Sequence, residues 1–424
     1  MIDCYIKSTV YGTQTRLFKD RSELSDFIRS AHYPLSLCSD DGTVAYVSQG
    51  SSFNIVKEND KFYWHYLKDS DSSIDKSLLA SGFDVVTVMI ERGVLFFDRH
   101  IYPIIVKYGA NNLSHGLIEQ LNSYADEFPL RLSLSGGDDS IFLFSLLFNN
   151  NIPFECYTYG STMSWEVMVA SRLCRKYGVS CKHFKFPSKA RLMDIYKRFQ
   201  GSVILPSLPD LLVYSENRQY FEGVLVINGQ TGDWLRGLHC PQVEDDYLLD
   251  NFIRKNFCLI DKRNDLDFFN NALKALEDKF GKLTKESHWY YEKSLRQERY
   301  ILPAYSALPF KVCMPFWSPS IITEFVSLTN LQREQTYKKV YNRNVDTKFV
   351  AHIRKRARLI KKFHALLFWP LRIYGKRYSP IRRYVSSYFL KYHSFYPQRT
   401  YMRYLLLNRH VRNPIYWLAK CTRE

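Results

Sequence analysis

The sequence predicts an α/β fold, a parallel sheet with flanking helices, behind a β-rich N-terminal domain. Three observations carry that expectation. Strand-like runs begin near residues 130, 154 and 180, a repeat of about 25 residues that leaves room for a crossover helix between parallel strands. A dense apolar run after the first of them reads as a buried helix. The first 115 residues, by contrast, break into short strand-like runs separated by Asn, Asp and Gly, the pattern of antiparallel β structure.

Residues 130–134 alternate as a strand does, and 141–148 supply the buried helix. Residues 154–160 form the second expected strand. A helix over 165–177 should close at Gly178, a good C′ residue because glycine enters the left-handed region without penalty. Residues 180–186 make the third strand, wound right-handedly on the second. A fourth apolar strand runs through Val224, Leu225, Val226 and Ile227, and a late helix is expected over 321–328. In the N-terminal region the strand-like runs are 43–47, 53–56, 61–66 and 85–97. The expected domains are 1–115, 116–350 and a basic, aromatic segment, 351–424.

The chemistry concentrates between the first strand and its helix, at Ser135-Gly136-Gly137-Asp138-Asp139-Ser140. Two glycines let the backbone turn sharply and bring consecutive N–H groups toward a ligand. The helix that follows, expected to start at Ser140, adds its positive end, so the loop suits an anion. Ser135 and Ser140 add hydroxyl donors, and Asp139 suits the divalent cation that accompanies a polyphosphate. A Walker loop would need Lys-Ser or Lys-Thr after its second glycine, which is missing. A plain turn would also use Gly-Gly-Asp, but it would not require every other position of Ser-Gly-Gly-x-Asp-Ser.

That motif resembles the pyrophosphate-binding loop of the PP-loop ATP pyrophosphatases, enzymes of the adenine nucleotide α-hydrolase-like fold that split ATP into AMP and pyrophosphate. A second loop, Asn228-Gly229-Gln230-Thr231-Gly232-Asp233-Trp234-Leu235-Arg236-Gly237, resembles one in the asparagine synthetase family, with Gly229, Asp233, Leu235 and Gly237 on matching positions. The resemblance implies Asp233 as a second magnesium ligand beside Asp139. Gln230 stands where asparagine synthetases carry a glutamate that contacts substrate and shuttles protons; its amide does not titrate. Met314-Pro315-Phe316-Trp317 is similar to a family turn, with Ser318 in place of an aspartate. Lys339-x-x-x-Arg343 is similar to a pair whose lysine steadies charge on the adenylated intermediate, a task suited to a compact cation; a solvated basic helix face is the plainer alternative. The resemblance spans roughly residues 116–350, and around 229–239 and 314–317 it lies closest to synthetase-like proteins of bacterial surface-polysaccharide synthesis.

The implied assignments are as follows. Ser135, Gly136, Gly137, Asp138, Ser140, Asn228 and Gly229 hold ATP; Asp139 and Asp233 hold Mg2+; Lys339, Arg343 and Gln230 serve the reaction. The reaction is adenylation of a substrate carboxylate followed by attack of ammonia or an amine. The carboxylate sits on a small molecule, a glycan sugar acid or a peptide, the last being the lasso-peptide cyclase version. Ammonia-dependent asparagine synthesis and a non-catalytic binding protein on the same fold remain alternatives.

The N-terminal domain resembles a degenerate glutaminase. In that family the nucleophile is the cysteine exposed after removal of Met1, whereas here Ile2 takes that place and Cys4 lies further in. A secondary amide nitrogen at Cys4 cannot act as the base, so glutamine hydrolysis is expected to be lost.

Composition excludes other classes. No basic flank and long apolar run mark a signal peptide at the N-terminus, and no stretch of eighteen apolar residues occurs. Nine scattered cysteines show neither a Cys-x-x-Cys pair nor zinc spacing, as expected of buried thiols in a reducing, cytoplasmic setting. Charge is uneven: residues 351–424 hold eighteen Lys/Arg against Glu424 alone, leaving 41 of each sign in residues 1–350. Basic residues there interleave with Phe363, Phe368, Trp369, Phe389 and Trp417. This suits an anionic surface at the inner membrane, with an interfacial helix near 363–370, or else a packed closing helix; nucleic acid is the least favoured partner.

Overall fold

The computed structural model describes residues 1–65, 94–103, 113–185, 208–238 and 281–367, with short interior breaks, and a few positions between 248 and 278. The chain divides into two compact units. One comprises Met1–Tyr124, Phe199–Leu208 and Gln230–Lys339; the other comprises Ala125–Arg198, Pro209–Gly229 and Val340–Glu424.

In the first unit, β1 (Ile2–Ser8) and β2 (Gly12–Phe18) form a hairpin that leads into helix α1 (Arg21–Ser30). Asp20 starts that helix by accepting the Glu23 N–H at 3.0 Å, as an N-cap aspartate should. The strands β3 (Ser36–Ser39), β4 (Val44–Val47), β7 (Val94–Phe97) and β8 (His100–Pro103) complete an antiparallel sheet in the order β2-β1-β3-β4-β7-β8. The strands β5 (Asn54–Glu58) and β6 (Lys61–His65) form a separate hairpin. Period-two alternation divides the side chains between two cores. Cys4, Ile6, Leu37, Val44 and Tyr46 pack with Leu24 and Ile28 of α1. On the other face Cys38, Ala45 and Val47 pack with Ile55 and Phe62 of the hairpin. Of the run expected over 85–97, only Val94–Phe97 falls within the described residues.

Cys4 is thus a core residue, fully buried on β1. Burial, with Cys38, Asp3 and Asp41 nearby, pushes its thiol up to about 12. At pH 8 only about one such thiol in ten thousand is ionised, and the thiolate is the reactive form. Native protein treated with iodoacetamide at pH 8 is therefore expected to leave Cys4 unmodified until denaturant is added. Peptide mapping checks this, and rapid native alkylation would contradict the core assignment.

The second unit contains four parallel strands. Helix α2 (Leu113–Glu127) leads into β9 (Leu130–Ser133), which is followed by α3 (Asp138–Asn149), β10 (Phe154–Tyr159), α4 (Trp165–Tyr177) and β11 (Cys181–Phe184). After α5 (Leu208–Glu216) and the short α6 (Arg218–Phe221), the chain enters β12 (Leu225–Asn228). These four strands pair in parallel, in the order β11-β10-β9-β12. Leu130 sits level with Phe154 on one side and Leu225 on the other. The winding therefore runs outward from β9 through β10 to β11, then returns to β12 on the opposite flank. The order reverses between β9 and β12, the switch point at which open α/β sheets bind ligands beyond their carboxyl ends.

Helix α4 has the expected bounds. Ser164 caps it by accepting the Val167 N–H at 3.2 Å, and Gly178 ends it at φ 67°. Helix α3 begins two residues before the expected Ser140, because Gly137 is extended (φ −74°, ψ 162°) and both Asp138 and Asp139 occupy the first turn. Acidic residues there are favoured by the partial positive charge of the helix end. The late helix spans Pro319–Val326, earlier than 321–328. Pro at its first position and Ser318, whose Oγ accepts the Ile321 N–H at 3.3 Å, fix that start.

The last described helix, Thr347–Leu367, runs through residue 351. Val350, Ile353 and Ala357 are buried at helical spacing, so its first turns are packed rather than solvated. Lys176 of α4 pairs with Asp346 at 2.7 Å, and Asp346 also accepts the Phe349 N–H at 3.0 Å. No helix among the described residues is long and apolar enough to cross a membrane. Residues 368–424, and the side chains of the expected interfacial helix, lie outside the described residues.

Candidate active site

The Ser135–Ser140 loop stands at the carboxyl end of β9, at the switch point. Leu134 N–H donates to the Tyr157 carbonyl at 2.9 Å, tying the strand's end to β10. Beyond it the hydroxyls hold the turn together. Ser140 Oγ accepts the Ser135 N–H at 3.3 Å and donates to the Gly137 carbonyl at 3.1 Å. Ser135 Oγ accepts the Gly137 N–H at 3.3 Å. Gly137 has no side chain with which to cap the helix. The positive end of α3 is therefore left for a ligand or for neighbouring groups to satisfy.

Two glycines are required by geometry. Gly136 adopts φ +72°, and a Cβ there would lie 2.9 Å from Val169 Cβ of α4. Gly229, just after β12, packs on the start of α3, where a Cβ would meet Ser140 N at 3.0 Å. The two loops flagged in the sequence thus touch at Gly229 and Ser140. Left-handed backbone costs a non-glycine residue about 1–2 kcal/mol, and the Val169 clash adds to it. Gly136→Ala is accordingly expected to lower unfolding stability by about 2 kcal/mol or more. Urea titration checks this; an unchanged midpoint would contradict the loop geometry.

Asn228, flagged as a nucleotide-site residue, is half-buried and donates its amide to Asp210 at 3.3 Å. Asp210 is buried and also accepts from Tyr157 Oη at 3.2 Å. Burial, and then the Asp210 charge, hold the Tyr157 phenol well above its usual range. This buried carboxylate escaped the sequence reading, since nothing near Asp210 in the chain announces it.

The first unit holds Gln230 and Asp233. Thr231 between them has φ 78°, the left-handed region that branched residues avoid. It opens a short helix, α7 (Gly232–Leu235), in which Asp233 is half-buried and ion-paired with Arg236. Trp234 anchors that helix. Its ring stacks between Trp289 at 4.3 Å and Trp317 at 4.5 Å. Trp234 and Trp289 also exchange indole N–H to carbonyl bonds of 3.3 and 3.0 Å. Trp234 and Trp317 lie within motifs quoted from the sequence, but their stacking, with Trp289 as the third ring, is a tertiary fact. Glu292–Ile301, beyond Trp289, forms a π-helix that the sequence reading did not anticipate.

Lys339 and Arg343 lie on the helix Asn330–Asn344, one in each unit, and both are exposed. Asp139 is half-buried in the first turn of α3, in the second unit, whereas Asp233 belongs to the first. Two residues the sequence did not flag meet the loop directly. Arg354 donates to Asp138 Oδ1 and, at 2.8 Å, to the Gly136 carbonyl. Tyr341 Oη reaches the same Asp138 oxygen at 3.3 Å.

No protein-family model and no curated protein matches the chain. Solved structures similar to it include an NH3-dependent NAD synthetase from Campylobacter jejuni in complex with the nitrate ion, 17% identical over 45% of this chain and 94% of that one, with a TM-score of 0.25. A glutamine-dependent NAD+ synthetase from Acinetobacter baumannii in complex with ADP is 17% identical over 33% of this chain and 34% of that one, TM-score 0.22. NMN synthetase from Francisella tularensis is 14% identical over 46% and 91%, TM-score 0.24. Likeness at this level carries no functional weight, and the fold rests on the chain's own strand order and parallel register.

Proposed function

We propose that this protein is an ATP-dependent amide-forming ligase of the asparagine synthetase type, without glutaminase activity. The observation that carries the reading is the Ser135–Ser140 loop, turned by Gly136 at the start of α3, at the sheet's switch point, with Gly229 packed against it. A substrate carboxylate attacks the α-phosphorus of ATP, the bond to the β-phosphate oxygen breaks, and pyrophosphate leaves from an acyl-adenylate. Ammonia or an amine then displaces AMP and loses a proton to form the amide.

The chain's own contribution is positioning and fixed charge. Loop N–H groups and the Ser135 and Ser140 hydroxyls orient the leaving pyrophosphate. Lys339, with Arg343, steadies negative charge at the adenylate, and Gln230 contacts the substrate. Among the described residues no group of three or more His, Cys, Asp or Glu stands ready to hold a metal. Mg2+ takes one or two protein carboxylates and completes its shell with phosphate and water oxygens. The resemblance of the two motifs implies Asp139 and Asp233 as its carboxylates, and the chemistry it would supply is to neutralise charge on the leaving pyrophosphate. The acceptor is a carboxylate on a small molecule, a glycan sugar acid or a peptide.

The test is ATP–pyrophosphate exchange with aspartate, uronic acids and acidic peptides in turn, followed by chromatography of the nucleotide products. AMP and pyrophosphate are expected with one of these classes. ADP and phosphate, or no exchange with any class, overturns the proposal.

A further inference from the structure

We infer that Arg354 is a positioning residue of the anion loop, making the helix Thr347–Leu367 part of the polyphosphate site; this rests on the reading of that loop given above. The loop contains a contradiction in charge. Its amides and helix end favour an anion, yet Asp138 and Asp139 both occupy the first turn. In the reading proposed above, a magnesium ion would account for one carboxylate, Asp139. Asp138, expected from the sequence among the ATP-holding residues, is itself an anion and would oppose the incoming polyphosphate unless a cation offset it.

Arg354 supplies that cation. Its guanidinium bonds Asp138 Oδ1 through one terminal nitrogen and the Gly136 carbonyl, at 2.8 Å, through the other. The Arg354 Nε is buried and has no partner among the described residues. The two terminal nitrogens therefore define its orientation. Both partners are largely shielded, with side-chain exposures of 19% for Arg354 and 29% for Asp138. Shielding of this degree makes the pair stronger than a surface ion pair.

The second bond has its own consequence. Gly136 is the left-handed residue of the turn, and fixing its carbonyl fixes the peptide plane that leads to Gly137 N–H. Arg354 thus offsets the loop's charge and fixes the Gly136–Gly137 peptide, whose N–H donates to Ser135 Oγ, at the same time. Tyr341 steadies the same Asp138 oxygen from the preceding helix at 3.3 Å. Ile353 and Ala357, on the same helix, are buried, so the helix that carries Arg354 is packed there.

The experiment is calorimetric titration of the full chain with pyrophosphate in excess Mg2+. Arg354→Ala should weaken binding at least about 30-fold, because it removes the cation that offsets Asp138 beside the anion. Arg354→Lys keeps the charge but loses the fork, and should weaken binding about 5-fold. The decisive arm is Asp138→Asn with Arg354→Ala, which should recover to within about 5-fold of wild type, since the opposing charge has gone. A role in folding alone predicts no such recovery. Should Arg354→Ala not fold, Asp138→Asn by itself carries the test. It should bind pyrophosphate more tightly than wild type, and weaker binding overturns the inference. Wild-type binding with Arg354→Ala within 2-fold of it, or without recovery in the double variant, overturns the role of Arg354 alone. A wild type that binds no pyrophosphate overturns the site reading as well.

Discussion

Asp139→Asn is expected to abolish ATP turnover in a protein that stays folded. Asparagine has nearly the same shape and remains acceptable in the first turn of α3, so the structural loss is confined to one favourable charge at a helix end, about 0.3–1 kcal/mol. The catalytic loss is larger. A carboxylate that holds Mg2+ against a leaving pyrophosphate contributes several kcal/mol to the transition state, and each 1.36 kcal/mol is a factor of about ten in rate. A fall of about a thousandfold in AMP formation is expected, with a far-UV spectrum unchanged. Turnover within tenfold of wild type would remove Asp139 from the metal site. The neighbouring Asp138→Asn should move pyrophosphate affinity the opposite way, because Arg354 rather than a metal balances that carboxylate. Two adjacent aspartates with opposite effects would be hard to explain by helix capping, which treats both alike.

Trp234→Ala is expected to cost about 3–5 kcal/mol of unfolding stability, the range for removing a large aromatic from a core. Trp234 is fully buried, stacked on both faces by indoles and bonded reciprocally to Trp289. Its removal opens a void that two rigid neighbours cannot collapse to fill. Trp234→Phe should cost less, since stacking persists and only the indole bond and part of the volume go. Guanidinium titration measures both, and a loss below 1 kcal/mol for the alanine variant would contradict the stack. The next residue back is Asp233, so any turnover that survives should fall further than stability alone explains.

These two predictions differ in how far the sequence anticipated them. Ser135–Ser140 was readable because its signals are local: glycines that permit the turn, hydroxyls that bind it, and a strand and a helix on either side. The same holds for α4, whose Ser164 cap and Gly178 terminus are encoded within the segment itself. The start of α3 was misplaced by two residues, because an extended Gly137 and the helix-end preference of two aspartates weigh together at that boundary. The π-helix over Glu292–Ile301 gave no recognisable signal, since its hydrogen-bond pattern differs from an α-helix while its residue types do not.

By itself, then, the sequence determined a parallel α/β sheet with the Ser135–Ser140 loop after its first strand, a β-rich N-terminal region, and the identity of the carboxylates worth testing. Local propensity and turn chemistry act over a few residues, and those features lie within that range. Only the tertiary structure decided that β12 returns beside β9, which puts Gly229 against Ser140. Only it buried Asp210 with Tyr157 and stacked Trp234 between Trp289 and Trp317. It also brought Arg354, 218 residues along the chain, onto the Gly136 carbonyl. Strand order and helix docking follow from how whole apolar faces pack together, and a linear pattern of residues does not record which face meets which.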